Sequence, residues 1–331
     1  MNDSGRIAAL SKGPVRYVDF EAGGGPAVVV HGGAWAIPDS EVEAHKQALR
    51  SALAAGARSA SGGAGADEVI VEVLTLMEDS GVFDAGRGSV LRSDGTAVMD
   101  AGIMRGRDMA FGAVGAVRRL RNPIRGAFQL MDRGMGQVRL VAGIEAEALL
   151  KDFGCALVDP DFHVCQRETQ RFSELNEQAA YHTSQVFRRP TAPLGTIGCV
   201  VRDSHGNVAA GTSTGGTPLS ASCRIGDTPL PGCGFYSLPV AAASATGWGE
   251  ALATVLACGR SVAAVEAGLS PGTAISDTLQ YMHEIVRGPD GRGAAGGLIL
   301  IRNDGAFSWA FTSPRMARAW WTSSLGTNVA V

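Results

Sequence analysis

The chain has 331 residues, 45% of them hydrophobic and 18% charged, with a formal net charge of −3. This is the balance of a globular protein long enough for one large domain or two ordinary ones. It speaks against a nucleic-acid binder, since the densest basic group (Arg118, Arg119, Arg121, Arg125) reads as a solvated helix surface, and no apolar run reaches the roughly 18 residues of a membrane span.

In chain order, the first thirty residues lack the basic start and apolar core of a signal peptide. Residues 27–31 (AVVVH) read as a short buried strand that stops at Gly32-Gly33, with His31 a packed histidine at its end. Apolar residues at helical spacing predict helices over about 40–60 and 65–77. The glycine-rich stretch 78–95 (EDSGVFDAGRGSVLRSDG) then reads as a loop of the kind that holds an ion or ligand. Strands are expected at 97–104 and 110–117, and helices at about 122–133 and 143–153. Residues 159–193 are polar and without persistent period, and read as a mostly exposed, mobile connector that is helical around 171–180.

Beyond that connector the β signal returns. Strands at 197–201 and 208–214 are joined through Gly206-Asn207, and strands at 297–302 and 306–312 through Asn303-Asp304-Gly305, both hairpin signals. Helices are expected over about 238–259 and 274–286. The whole predicts an α+β fold of sheets covered by helices. Six cysteines without a C-x-x-C pair, and six histidines without H-E-x-x-H, suggest neither a metal site nor a disulfide framework. The cysteines are expected to be reduced and mostly buried in a cytoplasmic protein.

The stretch APLGTIGCVV, residues 191–200, places Gly195-Thr196 at the start of a strand. Cleavage before Thr196 would give one residue both a hydroxyl nucleophile and an α-amine of pKa about 7.7 to 8.0, able to act as base near neutrality. Gly195, with no side chain, tolerates the strained geometry that such a cut requires. Thr214 ends the antiparallel neighbour of that strand, which brings the two hydroxyls to one sheet edge. Arg224 and Asp227, three residues apart in CRIGD, suit the α-carboxylate and α-ammonium of an amino acid. Thr246-Gly247 offers a hydroxyl and a backbone N–H for an oxyanion hole.

These residues carry a resemblance. HGGAW, FDAGRGSV, VMDAGIM, GTIGCVVRDSHGNVAAGTSTGG, CRIGDTPLPGCGFY and SATGWGE, spread over about 27–320, resemble the isoaspartyl peptidase/L-asparaginase family of N-terminal-nucleophile (Ntn) hydrolases. The resemblance implies a four-layer αββα sandwich, self-cleavage into an α chain (1–195) and a β chain (196–331), and assembly as a dimer of αβ pairs. It implies Thr196 as nucleophile and base, Thr214 as its hydroxyl partner, Arg224 and Asp227 as substrate ligands, and Thr246 with Gly247 as oxyanion hole. It implies no catalytic cofactor, but a structural sodium ion on the backbone carbonyls of Met77, Glu78, Ser80, Phe83, Ala85 and Arg87. The substrate would be L-asparagine, a β-aspartyl dipeptide, or another β-aspartyl-like amide.

The chain departs from the family pattern at Asp84, where asparagine is usual, at Cys223, where glycine is usual, at Met104-Arg105-Gly106, and at Thr312-Ser313-Pro314-Arg315-Met316. Asp84 is placed among the substrate-binding candidates, with a simple turn-closing role as its alternative. Two other readings stay open: an amino-acid-binding relative without turnover, and a nucleotide binder, the latter opposed by the absence of GxxxxGK[ST].

Overall fold

A computed structural model describes residues 6–21, 23–177 and 195–331. Its centre is β3 (Ala27–Trp35), buried at every position, as nine residues of AVVVHGGAW without a charge require. β3 pairs antiparallel with β7 (Ile197–Arg202), and β7 with β8 (Val208–Thr214) across the expected hairpin. Asp203 closes that turn, its Oδ1 accepting the N–H groups of His205 and Asn207, both at 2.9 Å. β4 (Met99–Arg105), β5 (Phe111–Val117) and the short β6 (Leu140–Ala142) extend the sheet on one side, and β13 (Arg315–Thr322) and β14 (Gly326–Ala330) on the other. The eight strands run in the order β14-β13-β3-β7-β8-β4-β5-β6.

A second sheet of six strands has the order β1-β2-β12-β11-β10-β9, built from β1 (Arg6–Lys12), β2 (Val15–Phe20), β9 (Phe235–Ser237), β10 (Ala241–Gly247), β11 (Gly296–Arg302) and β12 (Phe307–Phe311). Three apolar clusters organise the molecule. One joins α1 (Asp39–Ser61), α2 (Ala66–Asp79) and α3 (Pro123–Arg133) to the eight-stranded sheet. A second joins α7 (Ala257–Glu266) and α8 (Pro271–Ile285) to the six-stranded sheet. Between the sheets lies a third, with Val29, Val200, Ala210, Phe235, Ala242 and Ile299 meeting from both sides. Truncating a side chain such as Ile299, fully buried here, would cost about 2–5 kcal/mol.

The remaining helices are α4 (Gly143–Asp152), α5 (Gln166–Asn176) and α6 (Gly249–Thr254). Among the described residues no helix is long and apolar enough to cross a membrane. All six cysteines are free, but only Cys199, Cys233 and Cys258 are buried, fewer than expected.

The structure corrects three readings of the sequence. The helix expected over 238–259 is instead β10 followed by α6 and α7. Alanine favours a helix in isolation, yet β10 is flanked by β9 and β11 and faces the other sheet, where small side chains allow close approach. β1, β2, β6, β9, β13 and β14 were not expected from the sequence. The opening of the expected connector is packed: Pro160–His163 form a 3-10 turn, and α5 buries Glu168, Arg171 and Leu175. Glu168 accepts hydrogen bonds from Arg167 at 2.7 Å and Arg171 at 2.6 Å, and Arg171 also reaches Glu41 at 3.2 Å. The rest of the connector, 178–194, lies outside the described residues, and with it most of the proline-containing lead-in to Gly195.

Candidate active site

Thr196 sits one residue ahead of β7 and is half-buried, and Thr214 is the last residue of β8. Because Ile197 pairs with Ser213, the two threonines end neighbouring strands at the same edge, and Thr196 Oγ1 donates to Thr214 Oγ1 at 3.0 Å. Thr214 Oγ1 also accepts the Gly216 N–H at 3.0 Å, which leaves its own proton free to turn toward Thr196 once the Thr196 hydroxyl gives up its proton. A hydroxyl pair of this kind can stabilise an alkoxide forming on either oxygen.

The strand that carries Thr196 is pressed against β10. At Gly198 a Cβ would lie 2.0 Å from Ser244 Oγ and 2.2 Å from His31 Nε2, so only glycine fits. β10 ends in Thr246, whose Oγ1 accepts the Ala34 N–H at 3.3 Å, and Gly247, level with Gly296 of β11. Thr246 is buried and Gly247 half-buried, both beside β3 at the C-terminal end of β10. Trp248 N–H is spent on the Ala295 carbonyl at 3.1 Å.

Arg224 and Asp227 meet at Gly249, where a Cβ would lie 2.8 Å from both Arg224 Nη2 and Asp227 Oδ1. Arg224 Nε and Nη2 donate to the two carboxylate oxygens of Glu250 at 2.9 and 3.0 Å, a planar two-point pair that sequence reading missed. Asp227 is buried, and its Oδ2 has no partner. Burial pushes its carboxyl up to about 7 against the pull of Arg224. An incoming ammonium would supply both the missing donor and the missing charge.

Behind Thr214 lies a second layer of buried charge. Asp100 of β4 is level with Thr214, accepts the Ala116 N–H at 2.8 Å, and is raised by burial while Arg92 and Arg224 pull the other way. Arg92, itself buried, donates to Ser220 Oγ at 2.6 Å and to the Val98 carbonyl at 2.9 Å. Asp84 is only 3% exposed. Its Oδ1 accepts the Val90 N–H at 2.9 Å and its carbonyl accepts the Gly215 N–H at 3.0 Å, so it braces the turn that follows Thr214. Burial raises the Asp84 carboxyl to about 7. Cys223, by contrast, is exposed, and with Ser222, Arg118 and Arg119 it lines a cleft of about 700 Å³ beside the Arg224 loop.

Among the described residues no group of three or more His, Cys, Asp or Glu is placed to hold a metal. The loop between α2 and Val90 offers carbonyl oxygens instead. Those of Gly81 and Phe83 converge, each 2.9 Å from where a Cβ would stand on Gly88. The Met77 carbonyl accepts from Ser80 Oγ at 2.7 Å and from the Ser80 N–H at 3.2 Å, whereas that of Glu78 accepts from Arg87 N–H at 2.8 Å and keeps a lone pair to spare. Phe83 and Ala85 are buried there, while Arg87 is exposed. Converging carbonyl oxygens of this kind suit a hard cation rather than a transition metal.

The profile of the asparaginase family matches residues 24–331. The chain belongs to the asparaginase family. It is 34% identical over 295 residues to the isoaspartyl peptidase/L-asparaginase of Danio rerio, covering 89% of this chain and 91% of that protein. To the plant-type L-asparaginase of Pyrobaculum calidifontis it is 36% identical over 297 residues, covering 88% and 96%. To the isoaspartyl peptidase of Salmonella typhimurium it is 33% identical over 302 residues, covering 88% and 94%. Membership makes the chain an amide hydrolase, and in this asparaginase-family member the residues that could do amide chemistry are those gathered at the ends of β7, β8 and β10.

Proposed function

We propose that the chain cleaves itself between Gly195 and Thr196 and then hydrolyses L-asparagine or β-aspartyl (isoaspartyl) peptides through an acyl-enzyme on Thr196. The observation that carries this is the 3.0 Å contact between the Thr196 and Thr214 hydroxyls, with buried Asp227, one of whose carboxylate oxygens has no partner, on the loop that carries Arg224. Within the intact chain the Thr196 nitrogen is an amide and cannot take a proton. Once freed, it becomes the amine of pKa about 7.7 to 8.0 that draws the proton from the Thr196 hydroxyl.

Arg224 holds the substrate α-carboxylate and Asp227 its α-ammonium, which leaves the side-chain carbonyl facing Thr196. Attack forms a tetrahedral intermediate whose oxyanion is met by Thr246 Oγ1–H and the Gly247 N–H. The amine proton passes to the leaving nitrogen, ammonia or a peptide amine departs, and water resolves the Thr196 ester to release aspartate. Burial of Asp84 supports a bracing part behind Thr214 more than direct contact with substrate.

No cofactor enters this scheme. A sodium ion held by carbonyls among Met77, Glu78, Ser80, Phe83, Ala85 and Arg87 would fix the loop that carries Asp84. The three apolar clusters support a four-layer αββα arrangement of the Ntn-hydrolase type. Residues 1–195 and 196–331 would be the α and β chains of a single Ntn domain, assembled as a dimer of αβ pairs. The free cysteines support a reducing, cytoplasmic setting.

The test is a panel of L-asparagine, β-aspartyl dipeptides and α-aspartyl dipeptides, with aspartate release as readout. Hydrolysis confined to the β-linked amides supports the proposal. Calorimetric binding of aspartate without hydrolysis of any panel member would instead identify an amino-acid-binding relative.

A further inference from the structure

Four contacts, three of them buried, run in series from the nucleophile's own carbonyl to the other sheet. His31 Nδ1 lies 3.0 Å from the Thr196 carbonyl oxygen, and His31 Nε2 lies 2.9 Å from Ser244 Oγ. Ser244 Oγ lies 2.7 Å from Thr212 Oγ1, and Thr212 Oγ1 lies 2.9 Å from the Gly234 carbonyl. His31, Ser244 and Thr212 are all fully buried, and each of the four contacts needs one proton between its heavy atoms. Both ends are carbonyls, which only accept. A neutral imidazole and two hydroxyls supply three protons, so the series is one short.

A fourth proton would have to come from an imidazolium, but burial pushes the His31 pKa down to about 3, so the ring is neutral near pH 7. One contact must therefore place two acceptors face to face. The Gly234 carbonyl already receives the Ala245 N–H at 2.9 Å, so it is the end that tolerates the loss. Thr196 stands differently. It lies one residue outside β7, so the ladder does not reach it and its carbonyl depends on a side chain for its direction.

We propose that His31 is held as the Nδ1–H tautomer, donates to the Thr196 carbonyl, and is thereby a positioning residue for the nucleophile, with the proton shortage placed at Gly234. In this state Ser244 donates to Nε2 and Thr212 donates to Ser244. Any placement of the shortage except at Thr196 keeps a proton between His31 and Thr196, and placing it at Gly234 also keeps one on both contacts of Ser244, so the series works as a clamp on the peptide plane that follows the nucleophile. The inference rests on Thr196 being the nucleophile.

The test has two arms. Long-range ¹H–¹⁵N correlation spectra of the purified protein at pH 7, with the His31 signals assigned by their loss in His31→Asn, should show a protonated Nδ1 and a bare Nε2. The reverse pattern, or an imidazolium, would overturn the inference, and this arm requires no active variant because loss of a signal suffices for assignment. In the second arm, His31→Asn places an amide N–H near the former Nδ1 and His31→Gln near the former Nε2. His31→Asn should keep kcat within about tenfold, whereas His31→Gln should lose about a hundredfold with KM unchanged, the scale expected for a nucleophile displaced by about 1 Å. A glutamine variant that outperforms the asparagine variant would contradict the assignment. Failure of the nucleophile reading is separate: it would appear as unimpaired turnover in Thr196→Ala, while the spectrum would still report the tautomer.

Discussion

Thr196 and Thr214 end adjacent antiparallel strands with their hydroxyl oxygens 3.0 Å apart. The β7–β8 register sets this distance, since Ile197 faces Ser213 and places the next residue outward on one strand beside the next outward on the other. Thr214→Val keeps the shape and removes the hydroxyl. Its kcat should fall about tenfold to a hundredfold while KM stays near wild type, because the substrate's charged groups are held elsewhere. Steady-state kinetics on a β-aspartyl dipeptide would check this, and a rise in KM alone would assign Thr214 to binding.

The paired geometry of Arg224 leads to a second expectation. The Arg224–Glu250 contact uses two nitrogens of one planar edge, which an ammonium cannot copy. Arg224→Lys should therefore raise KM by tenfold or more and change kcat far less. Equal losses in kcat and kcat/KM would mean that Arg224 acts in the transition state instead.

The proposed contact of Asp227 with the substrate ammonium predicts a pH dependence of binding. Its carboxyl is raised to about 7 by burial, so it is ionised above that pH and takes up a proton as pH falls through it. Attraction for the substrate ammonium is lost in the same interval, and KM should rise as pH drops from 8 to 6. Asp227→Asn should bind weakly at every pH and show no such rise. A wild-type KM that is flat across this interval would remove Asp227 from ammonium recognition.

Glu78 affects stability in the same pH range. It is fully buried, accepts from Ser213 Oγ at 2.6 Å and from Ile124 N–H at 3.0 Å, and its carboxyl is pushed by burial from 4.5 up to about 8. Between those values the folded protein holds a proton that the unfolded chain releases. Its contribution is thus fully present below about 4.5 and is lost as pH rises through about 8. Glu78→Gln, which cannot ionise, should raise Tm at pH 8.5 by a few degrees, about 1–2 °C per kcal/mol for a chain of this length, and leave it little changed at pH 5. Thermal melts at the two pH values would show it, and a variant destabilised equally at both would point to a packing role alone.

Much of this site could be read in the sequence where local signals agree with the fold. Short β-branched strands joined at Gly206-Asn207 specify a hairpin, and the hairpin brings Thr196 to Thr214. Arg224 and Asp227 were legible as a pair, since they stand three residues apart in the sequence and meet at Gly249 in the structure. The Ala241–Gly247 strand was not legible, since its small residues answer to the opposing sheet and not to local propensity. His31 looked like a packing residue for a similar reason: its partners, Thr196 and Ser244, are 165 and 213 residues away. Glu250 stood within the quoted GWGE, but only the turn from β10 into α6 brings it to Arg224.

The central claim is that Thr196 becomes an amino terminus. Intact-mass spectrometry of the purified protein over time, beside Thr196→Ala, tests it most directly. The account requires the 331-residue wild-type chain to split only between Gly195 and Thr196, with turnover appearing in step with the split, and the variant to stay whole and inactive. A wild-type chain that hydrolyses β-aspartyl amides while remaining uncut, or a Thr196→Ala chain that keeps its activity, would contradict it.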